Sequence, residues 1–343
     1  MIQNQPFDPT TRTGGFEHLM TTWANSLAAE HSLTLLAVGD ENTTYHNSGE
    51  SFPRVITTPD DLASTLRALS RHVDVVTTHV HPERLVPLDV PVSVFRHNPT
   101  SALRTWLAEH HPDDADERFE ESVRRVNALT RYAAPSVYAR NYDAGVFTIP
   151  GDVVYPFVPA SLVTRPRAVD QHLALWLGRP IRRKGLAWLY EHHDEWSFPF
   201  AWAGSLDVPS AEPDVVELAR SHAEPLTSPS GIAAMAALYS RVPVVLCPYL
   251  EEPFGMVIPE ALTAGCRVVA FDSGGPAEMR GLPGLTLVEP FSVPDFDAAV
   301  VAALASPPLS ADARHEVLDS FTVRSSAAMY IDHLERAAFA HGV

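Results

Sequence analysis

Glu252 and Glu260 stand on either side of a Pro-Phe-Gly-Met turn in "EEPFGMVIPE", and the turn runs into the helical pattern "VIPEALTAG". Gly255 lets backbone amides approach a ligand at such a turn, and Glu260 falls in the first turns of the helix that follows. Two carboxylates so placed can accept hydrogen bonds from a polyhydroxylated ligand, one for each of two sugar rings, while the amides between them hold anionic oxygens. The plain alternative leaves Glu251 and Glu252 in solvent and makes Glu260 a helix N-terminal charge favoured by the dipole.

A second cluster, "LGRPIRRKG" at 177–185, ends an apolar run in Gly-Arg and places Lys184-Gly185 at the start of a helical pattern. Cations beside a helix start make an anion site; a solvated basic loop containing Arg182 and Arg183 is the alternative. Lys184 is the single lysine among 25 basic residues. A bias toward GC-rich codons explains the loss of lysines and leaves the survivor unexplained. Retention by chance is one account; a place where a compact ammonium cannot become a planar guanidinium is the other. "FDSGGPAEM" at 271–279 is the third cluster. All three fall where an apolar strand ends, which is where open parallel sheets carry their ligand sites.

The elements that position these clusters alternate along the chain. In the first half "FEHLMTTWANSLAAEH", "DLASTLRALSRH" and "ERFEESVRRVNALTRY" have helical spacing, while "LTLLAVG", "VDVVTTH", "PVSVFRHN", "APSVYA" and "GDVVYPFVP" read as strands or strand ends. Strands joined by helices imply a parallel sheet. The alternation restarts with "HLALWLGR" and continues through "FAWAGS", "PVVLCPY" and "RVVAFDS". The fold class expected is α/β, with two doubly wound sheets in tandem: a first domain over 1–157, a linker over 158–172, a second domain over 173–322, and a last helix over 323–343 packing back toward the first domain. One strand reads weakly: "MIQNQPF" has a lone isoleucine before its proline, so either it is vestigial or the true start lies upstream.

Composition narrows the partners. The formal net charge of −17 makes nucleic acid and anionic membrane poor ones. No run is apolar enough to span a bilayer, and the first residues lack the pattern of a signal peptide, so a cytoplasmic protein is expected. Cys247 and Cys266 sit in apolar runs and read as buried thiols.

Taken in order, "GR-x4-KG", "E-P-F-G-x4-E-A-L-x2-G" and "GG-x2-E" resemble the donor half of the retaining glycosyltransferases of family 4. Gly14-Gly15 before "FEHL" looks like that family's glycine-rich first loop, "VFRHN" like its strand ending in a histidine, and "APSVYA" like its "PS" element. The likeness covers nearly the whole chain, with its specificity in residues 178–278. It implies a GT-B fold, two Rossmann-like domains facing across a cleft, with acceptor bound by the first and nucleotide-sugar donor by the second. Arg179 and Lys184 would neutralise the donor diphosphate. Amides of Gly15 and of Phe254, Gly255, Met256 and Val257 would meet phosphate and sugar oxygens, with Gly14 and Pro253 beside them in the donor site. Glu252 would take the hydroxyls of the transferred sugar, Glu260 those of the ribose, and His97 would face the sugar near the reacting centre. The implied reaction is transfer with retention, without metal or other cofactor, the nucleotide-sugar being a co-substrate. Charge building on the bridging phosphate oxygen is what fixed cations and amides would stabilise.

Other candidates carry less. His79 and His81 share a strand face, but two ligands without a third do not make a metal site; with Asn98 they are expected to line the acceptor side. "PDDADE" at 112–117 is similar to the acidic metal motif of the other large glycosyltransferase fold, yet it precedes a helix and reads as capping acids. Trp176, Trp188, Trp196 and Trp202 fit a core pattern, Glu278 a loop support, and no Ser-His-Asp or Cys-His signature is evident. The acceptor expected is small and soluble, and acidity favours a cationic one such as an aminocyclitol or amino sugar. The Arg-, Ala- and Pro-rich composition fits an actinobacterial enzyme of natural-product assembly. Two rival functions remain, a nucleotide-sugar epimerase of the same architecture and a non-catalytic nucleotide-sugar-binding protein.

Overall fold

The computed structural model describes residues 2–3, 15–38, 43–45, 52–79, 88–97, 100–163, 173–204, 211–229 and 231–340. Two compact units emerge, one of residues 1–156 with 323–343 and one of residues 157–322.

The first unit runs β1 (Ile2–Gln3), α1 (Gly15–Ala28), β2 (Leu35–Val38), β3 (Thr43–Tyr45), β4 (Arg54–Thr57), α2 (Leu62–Ser70), β5 (Val76–Thr78), β6 (Val92–Phe95), α3 (Thr100–His110), α4 (Ala115–Asn127), β7 (Arg131–Ala134), α5 (Val137–Ala144) and β8 (Gly151–Val153). Its sheet has the order β3-β4-β2-β1-β5-β6-β7-β8, parallel except for the antiparallel edge strand β3. The weakly apolar start of the chain is a central strand after all. Two residues suffice because Ile2 and Gln3 pair with β2 and Ile2 with β5, so neighbours hold what hydropathy does not advertise. "APSVYA" divides between a strand end and a helix start: the Ser136 hydroxyl accepts from Ala139 N and caps α5. The acids of "PDDADE" fall at the start of α4, with Asp116 and Glu117 in its first turn.

The second unit runs β9 (Ala174–Leu177), α6 (Leu186–Glu191), β10 (Phe200–Ala203), α7 (Pro213–His222), α8 (Gly231–Tyr239), β11 (Val244–Cys247), α9 (Val257–Thr263), β12 (Arg267–Phe271), β13 (Leu285–Val288), α10 (Val293–Ala305) and α11 (Ala311–Ser320). Its five strands are all parallel in the order β10-β9-β11-β12-β13. Trp176, Trp188 and Trp202 are buried in its core with Trp196 packed against it, and the indole N–H groups of Trp176, Trp196 and Trp202 donate to the carbonyls of Lys184, Leu189 and Ala223. Cys247 and Cys266 are buried free thiols.

The chain's last helix, α12 (Val323–Phe339), belongs to the first unit. Trp23 of α1 donates to Ser326 at 2.9 Å, and Ser326 donates to the Tyr155 carbonyl at 2.6 Å. Deeper, Ser93 on β6, His333 on α12 and Asp152 on β8 form a Ser-His-Asp arrangement that no local spacing announces. His333 Nε2 meets Ser93 Oγ, and its Nδ1 lies 2.7 Å from Asp152 Oδ2. Ser93 and His333 are fully buried, and Asp152 also pairs with Arg131 and Arg336. Without access to a substrate the trio is an anchor for α12 and not a nucleophile. Among the described residues no helix is long and apolar enough to cross a membrane, and no group of three His, Cys, Asp or Glu side chains is placed to hold a metal ion.

Candidate active site

In the second sheet the chain leaves β9 toward β10 on one side and returns to β11 on the other. The carboxyl ends of β9 and β11 therefore flank a topological switch point, where parallel sheets open a crevice. The segments that emerge there are 178–185 and 248–256.

After β9 the backbone turns through a 3-10 segment, Arg182–Lys184, and reverses at Gly185, whose φ is +74°. A Cβ at Gly185 would stand 2.2 Å from the Pro248 carbonyl oxygen, so the two segments touch backbone to backbone there. Leu250 N donates to the Arg183 carbonyl at 2.7 Å, and Trp176 Nε1 to the Lys184 carbonyl at 2.8 Å. Lys184 is thereby pinned from both strands. Its ammonium lies 2.6 Å from Glu252 Oε2 and 4.2 Å from the centre of the Tyr249 ring, whose hydroxyl donates to the Leu177 carbonyl. Arg183 Nη1 reaches the same Glu252 oxygen at 3.1 Å.

Glu252 follows Glu251, which takes the left-handed φ of +48°, a conformation non-glycine residues adopt under constraint. Pro253, Phe254 and Gly255 are buried beyond it, Gly255 at φ +91°, and Met256 and Val257 are half-buried where α9 begins. Phe254 packs edge-on against Phe321. The "SGGP" segment supports this turn from behind. Gly275 N donates to the Glu252 carbonyl at 2.8 Å, and a Cβ at Gly275 would come within 2.4 Å of the Pro253 carbonyl oxygen. Glu278 lies exposed on the 3-10 segment Gly275–Met279.

Burial dominates the electrostatics. It lowers the Lys184 ammonium, against the pull of Glu252, and it lowers the Arg179 guanidinium together with Arg183. On Glu252 burial works upward, but Lys184 and then Arg183 outweigh it and hold the carboxyl below the ordinary range. Among the described residues this cluster sets Arg179, Arg183 and Lys184 against one carboxylate. Positive charge gathered at one crevice, in a chain of net charge −17, suits an anionic ligand.

Glu260, on α9, accepts a hydrogen bond from the Tyr239 hydroxyl at 3.1 Å, and burial pushes its carboxyl up to about 7. The native carboxyl thus holds its proton more tightly than the unfolded one. Its contribution to stability is full below about 4.5 and is lost as the pH rises through 7. Glu260→Gln is accordingly expected to gain in melting temperature over the wild type between pH 5 and pH 8, with the difference vanishing near pH 4.5. A constant difference across that range would show that Glu260 is not held protonated by burial.

In the first unit His97 follows β6 and His79 follows β5. His79 is buried with both ring nitrogens engaged, Nδ1 with His97 at 3.1 Å and Nε2 with the Tyr330 hydroxyl at 2.7 Å. It backs His97 and, one residue past β5, turns its Nε2 to Tyr330 of α12. Gly15 opens α1. Gly14, His81 and Asn98 lie outside the described residues.

The spacing of residues did not single out Arg183, Tyr239, Tyr249 or Tyr330. Arg183 offered a faint signal as the neighbour of the lone lysine. Arg182 beside it pairs outward with Asp214 at the surface.

Residues 171–306, which carry all of these second-unit side chains, match the family model described as "Glycosyl transferases group 1". Among solved structures the whole chain is similar to a sucrose-phosphate synthase from Thermosynechococcus elongatus, with a TM-score of 0.72, 18% identity, and 99% of this chain and 98% of that one covered. It is also similar to an α,α-trehalose-phosphate synthase (UDP-forming) from Burkholderia xenovorans in complex with glucose-6-phosphate (TM-score 0.69, 13% identity, 98% of each chain). A third is a glycosyltransferase involved in avilamycin A biosynthesis (TM-score 0.61, 18% identity, 98% of this chain and 97% of that one). At these identities the likeness establishes the fold, α/β with parallel sheets as in GT-B glycosyltransferases. No curated protein matches the sequence.

Proposed function

We propose that the protein is a glycosyltransferase that moves a sugar from a nucleotide-sugar donor to a hydroxyl of a small soluble acceptor, with retention and without a metal ion. The observation that carries this reading is the cluster of Arg179, Arg183 and Lys184 around Glu252 at the switch point of the second sheet. The matching family model and the solved structures of the same fold support it. Arg179 and Lys184 stabilise the diphosphate as negative charge grows on the departing oxygen. Glu252, already held ionised, accepts from hydroxyls of the transferred sugar. Glu260 accepts from the ribose, Gly14, Gly15 and the turn at 254–257 contribute amides, and His97 takes part in binding the transferred sugar. These roles follow the resemblance in sequence motifs, and the charges fit them: cations fixed before the reaction need no reorganisation when the bond breaks.

Acidity of the chain favours a cationic acceptor such as an aminocyclitol or amino sugar. The UDP-forming relative holding glucose-6-phosphate makes a sugar phosphate the second acceptor class to offer.

A thermal-shift panel of UDP-, GDP-, dTDP- and ADP-sugars with the free nucleotides tests the donor site. A ligand at 100 times its dissociation constant stabilises by about 2.7 kcal/mol, and Glu260→Ala should blunt that shift. The stabilising donor is then incubated with amino sugars, aminocyclitols, neutral sugars and sugar phosphates, with and without EDTA. Transfer with the donor's anomeric configuration kept and no loss in EDTA is expected. Loss of activity on chelation would remove metal independence, and an inverted product would remove retention. Interconversion of the donor sugar without acceptor would favour an epimerase, and silence across the panel a protein without this donor site.

A further inference from the structure

In the first unit a chain of hydrogen bonds links β5, α12 and His97, two residues past β6. Thr77 Oγ1 lies 3.0 Å from Tyr330 Oη, Tyr330 Oη 2.7 Å from His79 Nε2, and His79 Nδ1 3.1 Å from His97 Nε2. Burial and the neighbouring charges of His97 hold His79 well below the ordinary histidine range, and burial with Arg96 lowers His97 to about 3. Both rings are therefore neutral near pH 7, each with one N–H and one bare nitrogen.

Such a chain can run in only two directions. In the first, Thr77 donates to Tyr330, Tyr330 donates to His79 Nε2, His79 donates from Nδ1 to His97 Nε2, and His97 carries its proton on Nδ1. In the second, His97 donates from Nε2, His79 donates from Nε2 to the phenol oxygen, and Tyr330 donates to Thr77. That direction leaves the Thr77 hydroxyl proton without an acceptor among the described residues, in a side chain buried on a central strand. A buried donor left unmade forfeits its hydration with nothing in return. The first direction leaves only the Nδ1–H of His97 beyond the chain, and that ring is half-buried where Thr77 is buried.

We infer that Tyr330 is a positioning residue whose hydroxyl, donating to His79, holds His97 as the Nδ1–H tautomer, so that His97 meets an oxygen of the transferred sugar as a hydrogen-bond donor and not as a base. The second half of this statement rests on the glycosyltransferase reading; the first half does not. It also gives the packing of α12 into the first unit a consequence for the site. The helix that closes the chain supplies the hydroxyl that decides which nitrogen of His97 holds the proton.

Long-range proton–nitrogen correlation spectra of the full chain, labelled with ring-¹⁵N histidine, read the tautomers directly. The rings are assigned by the signals lost in His79→Gln and His97→Gln. In the wild type both rings should be Nδ1–H, the opposite of the Nε2–H form that free histidine prefers. Thr77→Val should leave both unchanged, because the phenol proton already points at His79. Tyr330→Phe keeps the ring against Trp23, whose centroid is 4.8 Å away, and should return His97 to Nε2–H with full exchange of its two nitrogen shifts. It should also lower the transfer rate about tenfold while leaving the melting shift induced by free nucleotide unchanged. An Nε2–H His97 in the wild type, a tautomer change in Thr77→Val, or an unaltered His97 in Tyr330→Phe would each overturn the relay. If Tyr330→Phe does not fold, the wild-type and Thr77→Val spectra decide alone. The expected spectra in a protein without any transfer activity would leave the relay standing and sink the sugar as its object.

Discussion

Lys184→Ala should lower sugar transfer by about 10²–10³-fold, the loss of roughly 3–4 kcal/mol of transition-state stabilisation that removal of one preorganised group produces. The loss should fall on kcat more than on donor KM. Charge on the leaving phosphate oxygen grows as the glycosidic bond breaks, so a fixed ammonium near it stabilises the transition state beyond the bound donor. The fold should persist. Glu252 keeps Arg183 at 3.1 Å when the ammonium is gone, so no bare carboxylate is left behind, and the backbone of residue 184 still accepts from Trp176. Lys184→Arg should rescue poorly. The ammonium is enclosed between Glu252 and the Tyr249 face with 12% of its side chain exposed, a space shaped for a compact cation and not for a planar fork. Steady-state kinetics and thermal melts of both variants decide the matter. Near wild-type turnover in Lys184→Ala would remove the assignment of Lys184 to the diphosphate.

Glu252→Gln should act on stability as well as rate. It removes the carboxylate that Lys184 meets at 2.6 Å and Arg183 at 3.1 Å, in a place where the Lys184 and Glu252 side chains are each 12% exposed. Breaking a buried ion pair by removing one partner costs about 3–5 kcal/mol. For a unit of this size that corresponds to a melting temperature lower by on the order of 10 °C. Inorganic pyrophosphate should restore a larger share of that loss in the variant than it adds to the wild type, since an anion replaces the missing counter-charge by mass action. Transfer should fall about 10- to 10²-fold, the worth of one hydrogen bond to a charged group, roughly 1.5–3 kcal/mol. An unchanged melting temperature would mean that Glu252 does not neutralise the cluster. Unchanged transfer with a lowered melting temperature would confine it to a structural role.

The two variants separate functions that the geometry merges. Glu252 is the counter-ion of cations that are proposed to hold the donor diphosphate. A bound diphosphate competes for those cations and frees carboxylate lone pairs for sugar hydroxyls. The ion pair joins groups to which the proposed function assigns the donor, and Glu252 offsets the charge of those cations.

Much of the second-unit site was legible because its residues are neighbours in the chain. The Glu252–Glu260 spacing, the glycine of the turn and the unusual lysine are local features, and a turn followed by a helix places them with little help from elsewhere. The alternation of strand and helix patterns was enough for a parallel α/β class, since residues in such sheets are buried on both faces and read as apolar runs. The first strand reads weakly for the complementary reason. Ile2 and Gln3 are held by hydrogen bonds to β2 and β5, which hydropathy does not register.

By itself the sequence determined the fold class, the ends of strands at which chemistry gathers, and the candidates Arg179, Lys184, Glu252 and Glu260. Only the tertiary structure decided their pairing. Adjacent arginines 182 and 183 are chemically identical, yet one reaches outward to Asp214 and the other inward to Glu252, 69 positions away, because the phase of a 3-10 turn aims them apart. Likewise Thr77 and Tyr330, separated by 253 positions, and Ser93, Asp152 and His333 meet only because α12 packs into the first unit. Spacing encodes what one turn or one strand brings together. Burial, counter-charge and the direction of a proton are properties of neighbours that only folding supplies.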